Sequence, residues 1–196
     1  MTSFPSPFMT DSQDTSFARV TSLAVHDLRT PLATIFGFAR TMQRAVELEP
    51  PLSRYVEMII AASEQMTELL EELGLAARIA GERYEPVLAD VDTLELARAA
   101  VPDADGTGTT VTTDPPTVQR SLAALVECAR KHGGVPSVAL HVEGSMLTLG
   151  PVNEAAAPVI MGESLKDLGA VVALSAIRAL GGSVEVEGER LVVRLA

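Results

Sequence analysis

The stretch AVHDLRTPLATIFGF, residues 24–38, has the composition of a helix, yet it carries Pro31 directly after His26, Asp27, Arg29 and Thr30. Proline has no N–H, so the carbonyl of Asp27 loses its usual helical partner and the helix is expected to bend there. Apolar residues recur at steps of mostly four and three: Ala24, Leu28, Leu32, Ile35, Ala39, Met42 and Val46. His26 lies two residues from Leu28, about 200° around the helix, and is expected to face solvent, opposite that seam. Thr30 follows one turn farther along the same face, with Arg29 beside it.

This grouping points to chemistry. Neutral imidazole is a good phosphoryl acceptor, nucleophilic through one ring nitrogen. A carboxylate next door holds the proton on the other nitrogen and fixes the tautomer that attacks. A hydroxyl one turn away is placed to orient a water at a phosphorylated partner. Small residues farther along the face, Ala33 and Gly37, leave room for another helix to approach.

After LEPPLS the apolar spacing resumes more strictly: Leu52, Val56, Ile59, Ser63, Met66, Leu70, Leu73, Ala77 and Ala80, with Ser63 as the polar exception. A 3.5-residue period belongs to the seam of a coiled coil or bundle. Two long helices joined by a short proline-bearing loop make an antiparallel hairpin, which cannot enclose its own seam. Two copies are therefore expected to pair as a four-helix bundle, and the chain to be a homodimer; the alternative is that residues 83–196 cover the seam within one chain.

Composition narrows the partners. The chain has 196 residues, 47% of them apolar but only 4% aromatic, so its core is built from Ala, Leu and Val. A net charge of −11 argues against nucleic acid, which needs clustered Lys and Arg. The single cysteine, Cys128, excludes an internal disulfide framework and fits a reducing cytosol. No uninterrupted apolar run reaches the roughly 18 residues of a membrane span, and the N-terminus lacks the pattern of a signal peptide. A cytoplasmic protein without a membrane anchor or sensor module is expected. Residues 1–15 read as a disordered tail ending in a helix cap around Asp14 to Ser16.

Beyond GERYEPV the character changes. VDTLELARAA reads as a short helix and TGTTVTTD as one strand. PPTVQRSLAALVECARKHGG is a helix with proline in its first turn and glycines at its end. PSVALHVEGSMLTLG and SVEVEGERLVVRLA are hairpins turning at Gly144 and Gly188, with the helix LKDLGAVVALSAIRALGG between them. The order predicts an α+β sandwich over residues 86–196, one mainly antiparallel sheet backed by helices, after an all-α hairpin over residues 16–81.

HDLRTPL resembles the H-box of the dimerisation and phosphoacceptor domain of sensor histidine kinases, and the resemblance covers both helices. It implies that His26 is phosphorylated, that Asp27 is its acid–base neighbour and that Thr30 helps hydrolyse the phosphoryl group on a response regulator. It also implies receiver domains of response regulators as partners, docking around His26, Arg29, Thr30, Ala33 and Gly37. Beyond the hairpin, the order of elements is similar to the ATP-binding (Bergerat) fold of these kinases. LAALVECARKHGG falls where the family has its asparagine box, and LGAVVALSAIRALGG where it has its glycine-rich box.

The departures from that family are specific. Cys128 stands where the family's asparagine helps hold magnesium, and a thiol is a poor ligand for a hard cation. LTLGPVNEAAAP lacks the aspartate that reads adenine. In LKDLGAVVAL only Gly169 survives of the glycines whose N–H groups approach the phosphates, and Asp167 adds negative charge. Lys131 and His132 match the family's box ending, but read equally well as solvated residues at a helix C-terminus. These losses predict a chain that binds no ATP and no cofactor of its own, magnesium coming with the regulator. The resulting expectation is a histidine phosphotransferase relaying phosphoryl groups between response-regulator aspartates through His26. The alternatives are a histidine kinase with an unorthodox nucleotide site, and a non-catalytic regulator-binding scaffold or phosphatase.

Overall fold

The computed structural model describes residues 11–45 and 48–196, with side chains from Phe17 to Arg44 and from Leu48 onward. Val46 and the tail up to residue 10 lie outside the described residues. The chain divides after Arg83 into a helical unit and an α/β unit.

The helical unit is a hairpin of α1 (Asp11–Ala45) and α2 (Leu52–Ala80). Helix α1 is already formed at Asp11, so the expected tail to residue 15 and cap at Asp14 to Ser16 are corrected. No glycine or proline interrupts DSQDTS. Pro31 sits inside α1, which remains helical on both sides of it.

The apolar seam splits into two sets, each at seven-residue steps. Ala18, Val25, Leu32 and Ala39 of α1 are buried, as are Val56, Ser63 and Ala77 of α2. Val25, rather than the expected Ala24, holds the seam, because it continues the spacing set by Leu32 and Ala39. Leu28, Ile35 and Met42, with Leu52, Ile59 and Met66, remain 41–54% exposed. Ser63 is tolerated because its hydroxyl donates to the Ile59 carbonyl at 2.7 Å, which leaves no unsatisfied buried group. Arg83 Nη2 donates to Ser22 Oγ at 3.0 Å, tying the end of α2 to α1.

The α/β unit contains β1 (Ala89–Asp92), α3 (Thr93–Ala100), β2 (Asp105–Gly108), β3 (Thr110–Thr113), α4 (Pro115–Gly133), β4 (Ala139–Gly144), β5 (Met146–Gly150), α5 (Ala157–Ile160), α6 (Leu168–Ala179), β6 (Ser183–Glu187) and β7 (Arg190–Arg194). Five strands form a mixed sheet in the order β2-β4-β5-β7-β6, with β2 parallel to β4 and the other pairs antiparallel. Leu140, Val142, Leu147, Leu149, Leu191 and Val193 point from this sheet into a core shared with Leu96, Leu122, Leu125 and Ile177 of the helices.

TGTTVTTD is two strands, not one. The chain jogs at Thr109, so β2 joins the large sheet while β3 pairs antiparallel with β1. Buried Thr93 holds the jog: its hydroxyl donates to Gly144 O at 2.6 Å and accepts from Thr109 N at 3.0 Å. Helix α4 starts on buried Asp114, which accepts from Thr117 N and Val87 N and from the Tyr84 hydroxyl. It ends on Gly134 at φ 62°, a left-handed terminus that glycine adopts without strain. Among the described residues, no helix is long and apolar enough to cross a membrane.

Candidate functional site

His26 stands on the solvent side of α1, one residue after buried Val25. Its side chain is 80% exposed, and Nδ1 lies 3.2 Å from Oδ1 of Asp27, itself 67% exposed. With Asp27 accepting the proton of Nδ1, the lone pair of Nε2 is directed to solvent and is accessible to an electrophile. Thr30 is exposed one turn later, and its backbone carbonyl accepts from the Thr34 hydroxyl at 3.0 Å. Ala33 is exposed, and nothing lies within 4 Å of a side-chain carbon built on Gly37. These positions make a shallow, unobstructed strip along α1.

Arg29 is placed differently from the others. Its guanidinium reaches toward α2, with Nη2 3.9 Å from a carbon built on Gly74. It therefore stands at the edge between the two helices, beside the strip that contains His26.

A second constellation lies in the α/β unit. Cys128 is fully buried on α4, and burial, reinforced by the carboxylate of Asp167, pushes its thiol up to about 12. Neighbouring Glu127 turns outward to Arg130, whose Nε donates to it at 2.8 Å. Asp167 caps α6, with Oδ1 accepting from Ala170 N at 3.1 Å. Its other oxygen, Oδ2, lies 3.2 Å from His132 Nε2 and 3.9 Å from Lys131 Nζ. His132 is thus not a solvated terminal residue, as its helix position alone had suggested: its side chain is 18% exposed and engaged across elements. Asn153, in the stretch without the adenine-reading aspartate, donates to Gly133 O at 2.8 Å and accepts from Ala156 N at 3.1 Å. The capping role of Asp167 was legible in DLGA before an apolar run. Its pairing with His132 was not, because the two are brought together only by packing α4 against α6.

The helical unit thus presents an exposed, carboxylate-paired histidine on a seam-bearing hairpin. Residues 18–82 match the His Kinase A (phospho-acceptor) domain. The Sensor protein CseC of Streptomyces avermitilis is 32% identical over 136 residues, covering 66% of this chain and 26% of the relative. The Sensor histidine kinase TrcS of Mycobacterium tuberculosis is 40% identical over 83 residues, covering 41% of this chain and 16% of the relative. The chain thus spans about a quarter or less of the length of the curated relatives it matches.

Among solved structures, full-length ShkA in complex with AMPPNP matches with a TM-score of 0.69 at 21% identity, over 91% of this chain and 45% of that one. The Acinetobacter baumannii histidine kinase AdeS matches with a TM-score of 0.55 at 16% identity, over 87% of this chain and 97% of that one. Both share the fold, a two-helix hairpin followed by an α/β unit.

Proposed function

We propose that this chain is a histidine-kinase-type phosphoacceptor that works as a homodimer and exchanges a phosphoryl group between His26 and the aspartate of a receiver domain in the cytoplasm. The observation that carries the reading is the exposed His26 held at 3.2 Å by Asp27 on a phospho-acceptor hairpin. Nε2 attacks phosphorus while the bond from phosphorus to the donor oxygen breaks. In transfer onward, a receiver carboxylate oxygen attacks phosphorus, the N–P bond breaks, and the electron pair returns to Nε2. Asp27 keeps the proton on Nδ1 and stabilises the charge that develops on the ring. The protein's contribution is mainly positioning, as in other phosphoryl transfers. Thr30 orients water for hydrolysis of the receiver's acyl phosphate, and Arg29, Ala33 and Gly37 border the docking strip.

The relatives support ATP as the source of the phosphoryl group. One of them is a sensor histidine kinase, and the neighbour with the higher TM-score was solved with AMPPNP, which weighs against the expectation of a chain that takes no ATP. One observation favours the second reading, a phosphotransferase loaded by a receiver. Asp167 replaces a glycine of the phosphate-approaching box, and its carboxylate is already paired with His132 and Lys131.

The test incubates the full chain with magnesium and γ-labelled ATP and, separately, with a labelled phosphorylated receiver. Acid-labile label is expected on His26. Label from ATP alone makes the chain a kinase, and label only from the receiver makes it a relay. No label on His26 from either source overturns the reading.

A further inference from the structure

We propose that Cys128, His132 and Asp167 form a zinc(II) site at the C-terminal end of α4, independent of how His26 is loaded. Cys128 and His132 are four residues apart, one turn, and so lie on one face of α4. Asp167 meets them from the residue that caps α6. The sulfur, the ring nitrogen and the carboxylate oxygen all lie within 4.8 Å of one another.

The geometry suits a small tetrahedral ion. Zinc bonds of about 2.0–2.3 Å place neighbouring ligand atoms roughly 3.3–3.7 Å apart. His132 Nε2 and Asp167 Oδ2, at 3.2 Å, already stand at that separation. The sulfur has to approach by about 1.5 Å at most on this reckoning, a movement within reach of a side-chain rotation. Asp167 is also held from behind: Oδ1 accepts from Ala170 N at 3.1 Å, which leaves Oδ2 for the metal.

The donor set selects the metal. A thiolate, an imidazole and one carboxylate favour zinc over magnesium or calcium, which prefer oxygen. The thiolate and the carboxylate together neutralise the two charges of the ion; on binding, the thiol proton leaves to water and the imidazole of His132 moves its proton to Nδ1, freeing Nε2 for the metal. Cys128 closes the site from the core, while His132 and Asp167 form its partly exposed mouth. A fourth position there is open to water. Lys131, whose side chain is 61% exposed, leaves Asp167 as the metal arrives.

The test uses the full chain stripped with chelator and then titrated with zinc alone, with cobalt(II) as a spectroscopic probe. One zinc per chain, a rise in Tm with zinc and a thiolate-to-cobalt charge-transfer band in the near ultraviolet are expected. Cys128→Ala abolishes the band. Asp167→Asn, which keeps the cap on α6, weakens zinc binding by about tenfold or more. His132→Gln provides the same test if the Cys128 variant does not fold. Absence of the charge-transfer band in the unmodified chain overturns the site. So does zinc affinity unchanged in Asp167→Asn and His132→Gln, which assigns the binding to surface carboxylates or other histidines.

Discussion

Cγ1 of Val25 lies 3.4 Å from where a side chain at Gly74 would begin, so the two helices of the hairpin are in contact one residue before His26. That contact sets the rotation of α1: with Val25 turned toward α2, His26 is turned out. Gly74→Ala fits this space at ordinary van der Waals distance and relieves glycine's helix penalty of up to about 1 kcal/mol. Thermal denaturation should show an equal or higher Tm. Gly74→Leu overpacks the contact and should cost about 1–3 kcal/mol, lowering Tm.

The exposed half of the seam predicts self-association. Leu28, Ile35 and Met42 of α1 and Leu52, Ile59 and Met66 of α2 make an apolar stripe that one hairpin leaves uncovered. Light scattering should give twice the 20.7 kDa chain mass at micromolar concentration. Ile35→Glu with Ile59→Glu should yield monomers that retain helical circular dichroism. A monomer from the unmodified chain would remove the bundle from the account.

His26→Ala leaves Val25, Leu32 and the buried seam untouched, so stability should change by less than about 0.5 kcal/mol. Phosphoryl exchange should be lost, because no neighbouring side chain forms the same N–P bond. Asp27→Asn should slow exchange without abolishing it, since the amide can still orient the ring but cannot stabilise its positive charge. Thr30→Ala should keep histidine labelling and reduce receiver dephosphorylation. Following label on both proteins separates the three outcomes, and exchange by the His26→Ala protein would refute the assignment.

Burial of Cys128 has a consequence at alkaline pH. The unfolded thiol titrates near its ordinary value of 9.0, whereas the folded one holds its proton to about 12. Between those values the unfolded state ionises first, so this contribution to stability is complete below pH 9 and is lost as pH rises toward 12. With chelator present, chemical denaturation should show stability falling more steeply over that window in the unmodified chain than in Cys128→Ala. Parallel slopes would mean that the thiol is not sheltered in solution.

Most of the architecture was legible in the sequence, because burial and capping leave local signatures. The heptad spacing from Leu28 and Leu52 marked the hairpin. Pro115 with Gly134 bounded α4, and the alternating residues around Gly144 and Gly188 marked two hairpins. HDLRTPL carried the phosphoacceptor reading within seven residues, since an exposed helical motif depends only on its own periodicity. What the sequence left open were relationships between distant segments. Periodicity could not show that the seam divides into a set buried by α2 and a set left bare, nor choose Val25 over Ala24, because that depends on where Gly74 lets the helices meet. It could not break TGTTVTTD at Thr109, since the buried hydroxyl of Thr93 directs the jog from another element. Nor could it join His132 to Asp167, a pair separated by 35 residues. A helix terminus read alone is solvated; only the packing of α4 against α6 removes water from that histidine and supplies the carboxylate that faces it.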